Sequence, residues 1–239
     1  MRSVETNRSE MTNNIKEARV SVIGPMLEGL MKFPYRVNWN VPAQTEERVA
    51  QLAQQHSILA YFNHQSMIDP GLVVAGLLRL NEFKIIAIPA SENHYKTNPL
   101  IRLAEALGIN IVPIIQHYDQ DKYTQGQLYK SYRNMMKTIS SVAQIPGSAI
   151  IIAPEGTRHK EKQDGFQSGI FRIGRQNPDL HYLPIYFSGK NKPMGKSFLV
   201  GTPIEANIGE VIEPSRELLS GEQHFLQTLE NALYSLKTS

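Results

Sequence analysis

Apolar residues along this sequence follow two alternating patterns. Short uninterrupted apolar runs, such as SILAYF over 57–62 and AIIIA over 149–153, are typical of buried β-strands. Between them lie segments in which apolar residues recur every three or four positions, as expected for helices with one buried face. The two patterns predict strands over 35–41, 57–62, 83–87, 109–115, 149–153, 180–187 and 198–204, and helices over 45–55 (capped by Thr45), 70–80, 100–107, 128–144, 166–176 and 222–236.

The order of these elements predicts the fold class. Strands alternate with helices along the whole chain, and the central strands are apolar on both faces. Such strands must be covered on both sides, which is typical of parallel sheets flanked by helices. Because no long linker, composition break or internal repeat divides the chain, we expect a single α/β domain over 35–239 with a mainly parallel central sheet.

The segment that precedes this domain divides into two parts. Residues 1–14 are polar and carry both signs of charge, which predicts a disordered N-terminus. Residues 15–34 are predicted to form an N-terminal amphipathic helix, because six apolar residues between Val20 and Phe33 share one helical face. Two interpretations of this helix stay open: it packs on the protein core, or it lies in a membrane interface as a surface anchor.

Composition excludes several classes of protein. The chain of 239 residues has no cysteine, so disulfides, thiolate metal sites and cysteine nucleophiles are excluded. It has no apolar run of the kind that forms a signal peptide or a membrane span, which predicts a protein on the cytoplasmic side. The phosphate-loop, serine-hydrolase and zinc-protease motifs G-x-x-x-x-G-K-[ST], G-x-S-x-G and H-E-x-x-H are absent.

Charge is distributed unevenly, although the net charge is only +3. Between Arg158 and Lys196 there are eight basic residues, opposed by three acidic ones. The eight are Arg158, Lys160, Lys162, Arg172, Arg175, Lys190, Lys192 and Lys196. Such a segment attracts phosphates, anionic lipid surfaces or acidic carrier proteins, and the alternative interpretation is a solvated lysine-rich face.

The first candidate for chemistry directly follows the apolar run that ends at Phe62. In α/β sheets, sites form at the carboxyl ends of strands, and here the sequence reads NHQSMIDP. A loop that folds back would pair His64 with Asp69, whose carboxylate would orient the imidazole as a general base. Alternatively, Asp69 only caps the helix that follows it. The same spacing recurs at His159 and Asp164, where no apolar strand leads directly into the histidine.

The second candidate follows the apolar strand 149–153 and reads PEGTR. Gly156 allows the backbone to approach a ligand closely, and Thr157 adds a hydroxyl group. Arg158 offers a planar fork that suits a phosphate or carboxylate. The alternative interpretation is a polar turn in which Glu155 and Arg158 pair with each other.

Taken together in this order, NHQSMID and PEGTR resemble the two marker motifs of the glycerol-phosphate and lysophosphatidic acid acyltransferase family, His-x4-Asp and Glu-Gly-Thr-Arg. The resemblance extends from about Tyr35 to Glu205. It includes Gly165, Phe166 and Gly169 after the second motif, the LPI of 183–185, and the VGTPI of 200–204.

The resemblance implies a role for each matching residue. His64 would be the general base and Asp69 its orienting partner, while Glu155, Gly156, Thr157 and Arg158 would bind the acceptor. The acyl group would pass directly from acyl-CoA or acyl-carrier protein to a hydroxyl group, without a covalent intermediate, a metal or a further cofactor.

The expected partners follow from the same resemblance. They are a lipid acceptor such as lysophosphatidic acid, an acyl thioester, the cytoplasmic face of a membrane to which the protein would attach peripherally, and an acyl-carrier protein as one of the two donors. Nucleic acid is not expected.

One feature of the family pattern is missing. Where an arginine that helps to bind the acceptor phosphate is expected, this chain has Gln116 or Ile114, with Lys122 and Arg133 as candidates to replace it. The acceptor therefore stays open between lysophosphatidic acid, glycerol-3-phosphate and a non-phosphate alcohol. Hydrolysis of a thioester or ester by water at the same histidine is an alternative reaction.

Overall fold

A computed structural model of the chain describes residues 15–17, 36–66, 68–80, 83–156, 165–188 and 203–237. Its strands are β1 (Arg36–Asn40), β2 (Ile58–Phe62), β3 (Ile85–Ser91), β4 (Asn110–Ile114), β5 (Ser148–Ile152), β6 (His181–Ser188) and β7 (Pro203–Ile208). Its α-helices are α1 (Ala43–Leu52), α2 (Asp69–Leu80), α3 (Glu92–Thr97), α4 (Pro99–Ala106), α5 (Gln125–Ala143), α6 (Gly169–Gln176) and α7 (Glu222–Tyr234). Short 3₁₀ helices span His117–Lys122 and Leu218–Ser220.

The seven strands form one sheet in the order β1-β7-β6-β2-β5-β3-β4. From β6 to β4 all neighbours are parallel, whereas β6 and β7 are antiparallel and β1 runs parallel to β7. The predicted α/β fold with a mainly parallel sheet is therefore confirmed. Within the described ranges, no helix has the length and apolar character needed to cross a membrane.

Apolar side chains cover both faces of the sheet, as the sequence pattern predicts. In β2, Ile58, Ala60 and Phe62 pack into one core cluster, while Leu59 and Tyr61 pack into the cluster on the other face. All five residues of this strand are buried. Because successive side chains of a strand point to opposite faces, a run without polar positions is required for such two-sided burial.

Several element bounds differ from the prediction. Strand β3 runs to Ser91 rather than Ala87, and it tolerates Pro89 because its pairing with β5 ends at Ala87. Thr45 is not the helix cap: α1 starts at Ala43 after Pro42, and the buried Thr45 hydroxyl has no hydrogen-bond partner among the residues that the structure describes. The last predicted strand, 198–204, lies partly outside the described residues, and the strand observed there starts at Pro203.

Only residues 15–17 of the predicted amphipathic helix are described, and they are not helical. The side chain of Asn110, at the start of β4, accepts a hydrogen bond from the Lys16 backbone N–H at 2.9 Å and donates one to the Lys16 carbonyl at 2.8 Å. Ile15 packs against the core cluster on this side. This part of the chain therefore docks on the edge of the sheet. Residues 1–14 and 18–34 lie outside the described residues.

Helix α2, which starts at Asp69, packs closely against the Trp39 ring through Gly76. A Cβ atom at Gly76 would lie 2.4 Å from the nearest ring carbon, whereas one at Gly71, in the same helix, would have no neighbour within 4 Å in the described part of the chain. We expect the free energy of unfolding of Gly76→Ala to be about 1–3 kcal/mol lower than that of Gly71→Ala. Both substitutions gain helix propensity, but only the methyl group at position 76 collides with the Trp39 ring. Urea denaturation of the two variants measures this difference, and equal stabilities would contradict the packing.

Candidate active site

The two motifs meet at the carboxyl edge of the sheet. Strands β2 and β5 are parallel neighbours, so the residues that follow them lie at the same edge. The backbone N–H of His64, two residues beyond β2, donates a hydrogen bond to Oε2 of Glu155, three residues beyond β5, at 3.1 Å. The structure therefore joins the two sequence motifs directly.

A folded-back loop brings His64 and Asp69 together. The imidazole Nδ1 of His64 lies 3.2 Å from Oδ2 of Asp69. The same oxygen accepts the backbone N–H groups of Gln65 and Ser66, both at 2.6 Å. Although Asp69 is the first residue of α2, all three partners of this oxygen precede it in the chain. The carboxylate therefore holds the preceding loop and the imidazole.

The two side chains differ in their access to solvent. The side chain of Asp69 is 4% exposed, whereas that of His64 is 19% exposed. The Phe62 ring packs against the imidazole at a centroid distance of 5.7 Å in a T-shaped arrangement. With its proton on Nδ1, facing the carboxylate, the ring has an unprotonated Nε2 that can accept a proton from a bound molecule.

Asn63, the first residue of the NHQSMID motif, is part of this site, although the sequence assigned no role to it. Its buried side chain donates to the Phe187 carbonyl at 2.9 Å and accepts from the Phe187 N–H at 2.7 Å. These two bonds join β2 to β6 just beyond the end of their ladder. The amide thereby fixes the residue that precedes His64.

The second motif is only partly described. Glu155 is buried, and its Oε1 accepts a hydrogen bond from the Tyr234 hydroxyl at 2.5 Å. Gly156 has a φ of 76°, which favours glycine, and a Cβ atom there would lie 3.2 Å from Cγ of Gln167. Thr157 and Arg158 lie outside the described residues, as does the second histidine and aspartate pair at 159 and 164.

The candidates for the missing arginine lie toward the far side of the sheet. Gln116 follows β4, which is separated from β2 by β5 and β3. The ammonium of Lys122 pairs with Oδ1 of Asp119 at 2.6 Å, and its side chain is largely exposed. Arg133 is exposed on α5. In the part of the chain that the structure describes, no group of three or more potential ligands is arranged to bind a metal ion.

Two arginines of the basic segment are described, and both lie over aromatic rings. The guanidinium of Arg172 is 5.7 Å from the centroid of the Tyr132 ring, and that of Arg175 is 5.9 Å from the centroid of the Phe171 ring. The Arg172 contact joins α6 to α5, whereas the Arg175 contact lies within α6, and both leave the positive charges near the surface. The other six basic residues of this segment lie outside the described residues.

A cavity of about 480 Å³ lies at the opposite, amino edge of the sheet. His56, just before β2, and the buried His181, the first residue of β6, line it with ring centroids 4.7 Å apart. Burial lowers the pKa of His181, and the neighbouring His56 lowers it further. The neutral form of His181 is therefore favoured in the folded protein.

This histidine predicts a loss of stability in mild acid. Because the pKa of His181 is lower in the folded state than its ordinary value of about 6.5, the unfolded chain binds the extra proton more readily. Stability should therefore fall as the pH drops below about 6.5. The melting temperature of the wild type should decrease more between pH 7.5 and 5 than that of His181→Gln, with the exposed His224→Gln as control. An identical decrease in all three proteins would disprove this role.

The fold and this edge of the sheet define an α/β protein with a histidine–aspartate pair at the end of one strand and a buried glutamate at the end of the next. The Acyltransferase family model matches residues 41–188, about three fifths of the chain. The chain therefore belongs to the acyltransferase family, and it is an enzyme that transfers acyl groups. This confirms the family resemblance predicted from the two motifs.

A solved structure shares the fold. The crystal structure of the 1-acyl-sn-glycerophosphate (LPA) acyltransferase PlsC from Thermotoga maritima is similar to this chain with a TM-score of 0.59. The two are 18% identical, and the match covers 87% of this chain and 77% of that chain. No curated protein matches the sequence significantly.

Proposed function

We propose that this acyltransferase moves a fatty acyl group from acyl-CoA or acyl-carrier protein to the hydroxyl group of a lysophospholipid such as lysophosphatidic acid. The observation that carries the proposal is the imidazole of His64, which is oriented by Asp69 at 3.2 Å and has its backbone N–H bound to Glu155. An oriented imidazole at the edge of the sheet where ligands bind is suited to act as a general base.

In the proposed step, Nε2 of His64 takes the proton of the acceptor hydroxyl group as its oxygen attacks the thioester carbonyl. The carbon–sulfur bond breaks, the ester forms, and the leaving thiolate takes the proton from the imidazolium. The Asp69 carboxylate stabilises the imidazolium between these two proton transfers. Acyl transfer is then complete without a covalent intermediate on the protein. The acyl donor is a substrate, and the proposed step uses no cofactor.

The acceptor is proposed to be bound by the second motif, Glu155, Gly156, Thr157 and Arg158. The buried carboxylate of Glu155 next to His64 supports this, because it brings the motif to the base. A non-phosphate alcohol is the second candidate acceptor. It is favoured by Gln116 and Ile114 at the position of the expected arginine, and by the pairing of Lys122 with Asp119.

A panel of acceptors tests the proposal. Purified protein is incubated with radiolabelled acyl-CoA or acyl-carrier protein and with lysophosphatidic acid, glycerol-3-phosphate, lysophosphatidylcholine or a long-chain alcohol. The expected result is labelled phosphatidic acid as the main product. A labelled ester of the alcohol alone would favour the second acceptor. Free fatty acid released at the same rate with and without acceptors would show a hydrolase.

We also propose that the protein binds peripherally to the cytoplasmic face of a membrane through the predicted segment 15–34, by its apolar residues beyond the docked residues 15–17. The apolar stripe between Val20 and Phe33 supports this, since lipid substrates reside in membranes. Co-sedimentation with anionic liposomes compares the full chain with a variant that lacks residues 1–33, and equal binding of the two would remove the proposal.

A further inference from the structure

We propose that Tyr234, at the end of the C-terminal helix, is a positioning residue that acts on His64 through Glu155. The inference rests on the proposed function, because it assigns a further residue to the same site. Tyr234 lies outside residues 41–188, which match the family model, and no sequence motif pointed to it.

Hydrogen bonds connect the hydroxyl group to the base in two steps. The Tyr234 hydroxyl donates to Oε1 of Glu155 at 2.5 Å, and Oε2 of the same carboxylate accepts the His64 backbone N–H at 3.1 Å. Each oxygen of the carboxylate is thus bound from a different part of the chain. Asp69 orients the imidazole ring, whereas Tyr234 and Glu155 hold the backbone to which that ring is attached.

The surroundings keep the Tyr234 hydroxyl group protonated and in place. Burial raises the pKa of Tyr234, and its hydrogen bond to Glu155 raises the pKa further, so the group remains a donor at all physiological pH values. The Tyr186 ring packs against it at a centroid distance of 6.0 Å, in a T-shaped arrangement. Helix α7 is itself held by Phe225, Leu229 and Leu233, which are fully buried in the core.

A base must be held precisely to be effective. Small displacements of a catalytic group cost large factors in rate, since the reacting atoms must meet in a narrow range of distances. Without the hydroxyl group, Oε1 of a largely buried carboxylate loses a donor, and the orientation of the carboxylate toward the His64 N–H is less constrained. The structure therefore links the end of α7 to the rate of the chemical step rather than to stability alone.

Tyr234→Phe tests this role, because it removes one oxygen atom and keeps the ring that packs on Tyr186. We expect kcat for acyl transfer to fall about tenfold or more. In the background of Glu155→Ala, which removes both acceptor oxygens, the same substitution should change kcat by less than about twofold, because the group through which Tyr234 acts is absent. Equal effects in both backgrounds would overturn the proposal.

Tyr61→Phe is the matched control. The Tyr61 hydroxyl is buried and donates to the Leu229 carbonyl on the same helix at 3.0 Å. Removing the Tyr61 hydroxyl deletes one hydrogen bond that involves α7, as Tyr234→Phe does. We therefore expect similar changes in melting temperature for Tyr61→Phe and Tyr234→Phe. Only Tyr234→Phe should reduce kcat. Equal losses of kcat in both would show that the effect is structural.

A measurement on the protein without substrate separates this inference from the proposed function. Amide hydrogen exchange at His64, followed by NMR, should become several-fold faster in Tyr234→Phe than in Tyr61→Phe, because the acceptor of that N–H is less constrained. Unchanged exchange would disprove the link, whatever the enzyme acylates. If exchange changes and no acceptor of the panel is acylated, only the proposed function fails.

Discussion

His64→Ala is expected to lower kcat of acyl transfer by roughly 10²–10⁴-fold, the typical contribution of a well-placed general base. The reason is that Nε2 of His64 is the group proposed to take the proton of the acceptor hydroxyl group. Folding should be little affected, because the side chain is partly exposed and its neighbours Phe62 and Asp69 remain packed. Initial rates with saturating acceptor and donor measure the effect.

The control for this substitution is His224→Ala, which removes an exposed imidazole from α7. We expect this variant to retain the wild-type rate. Circular dichroism of both proteins verifies that they are folded. If His64→Ala kept a rate near that of the wild type, the general-base assignment would be wrong, and Asp69 would be only a structural residue of the loop.

Asp69→Asn is expected to lower kcat by about 10²-fold or more, with little change in KM. An asparagine oxygen should occupy the position of Oδ2, since the two backbone N–H groups of Gln65 and Ser66 at 2.6 Å require an acceptor there. The loop and the imidazole orientation are then retained, and only the negative charge that stabilises the imidazolium is lost. Steady-state kinetics of the folded variant separate kcat from KM.

Asp69→Ala separates the role of the negative charge from the role of Asp69 as the hydrogen-bond acceptor that holds the loop. It removes the acceptor of two buried backbone N–H groups, so it should lower the melting temperature as well as kcat, whereas Asp69→Asn should lower kcat alone. The exposed Asp179→Asn at the other edge of the sheet serves as control. Wild-type activity in Asp69→Asn would show that the charge of this residue has no part in the reaction.

The predictions for His64 and Asp69 originate in local sequence. Apolar runs on both faces identify β2 and β5 as buried strands, and the residues at their carboxyl ends can be identified without a structure. Gly156 is predicted only as a place where the backbone can approach a ligand, and its positive φ is a finding of the structure. The bounds of α1 and β3 differ from the predicted ones. Pro42 directly precedes α1, and Pro89 is accepted in β3 because the pairing with β5 ends before it; the sequence pattern shows neither fact.

By itself, then, the sequence determined the α/β class, the two-sided burial of the central strands and the pair of motifs that identify the acyltransferase family. Periodicity and composition suffice for this, because they encode burial locally. The tertiary structure alone decided that β2 lies beside β5, that Asn63 bonds to Phe187, and that Tyr234 reaches Glu155. These contacts join residues about 80–125 positions apart. Such pairings depend on how whole helices and strands pack together, and no local sequence pattern encodes that packing.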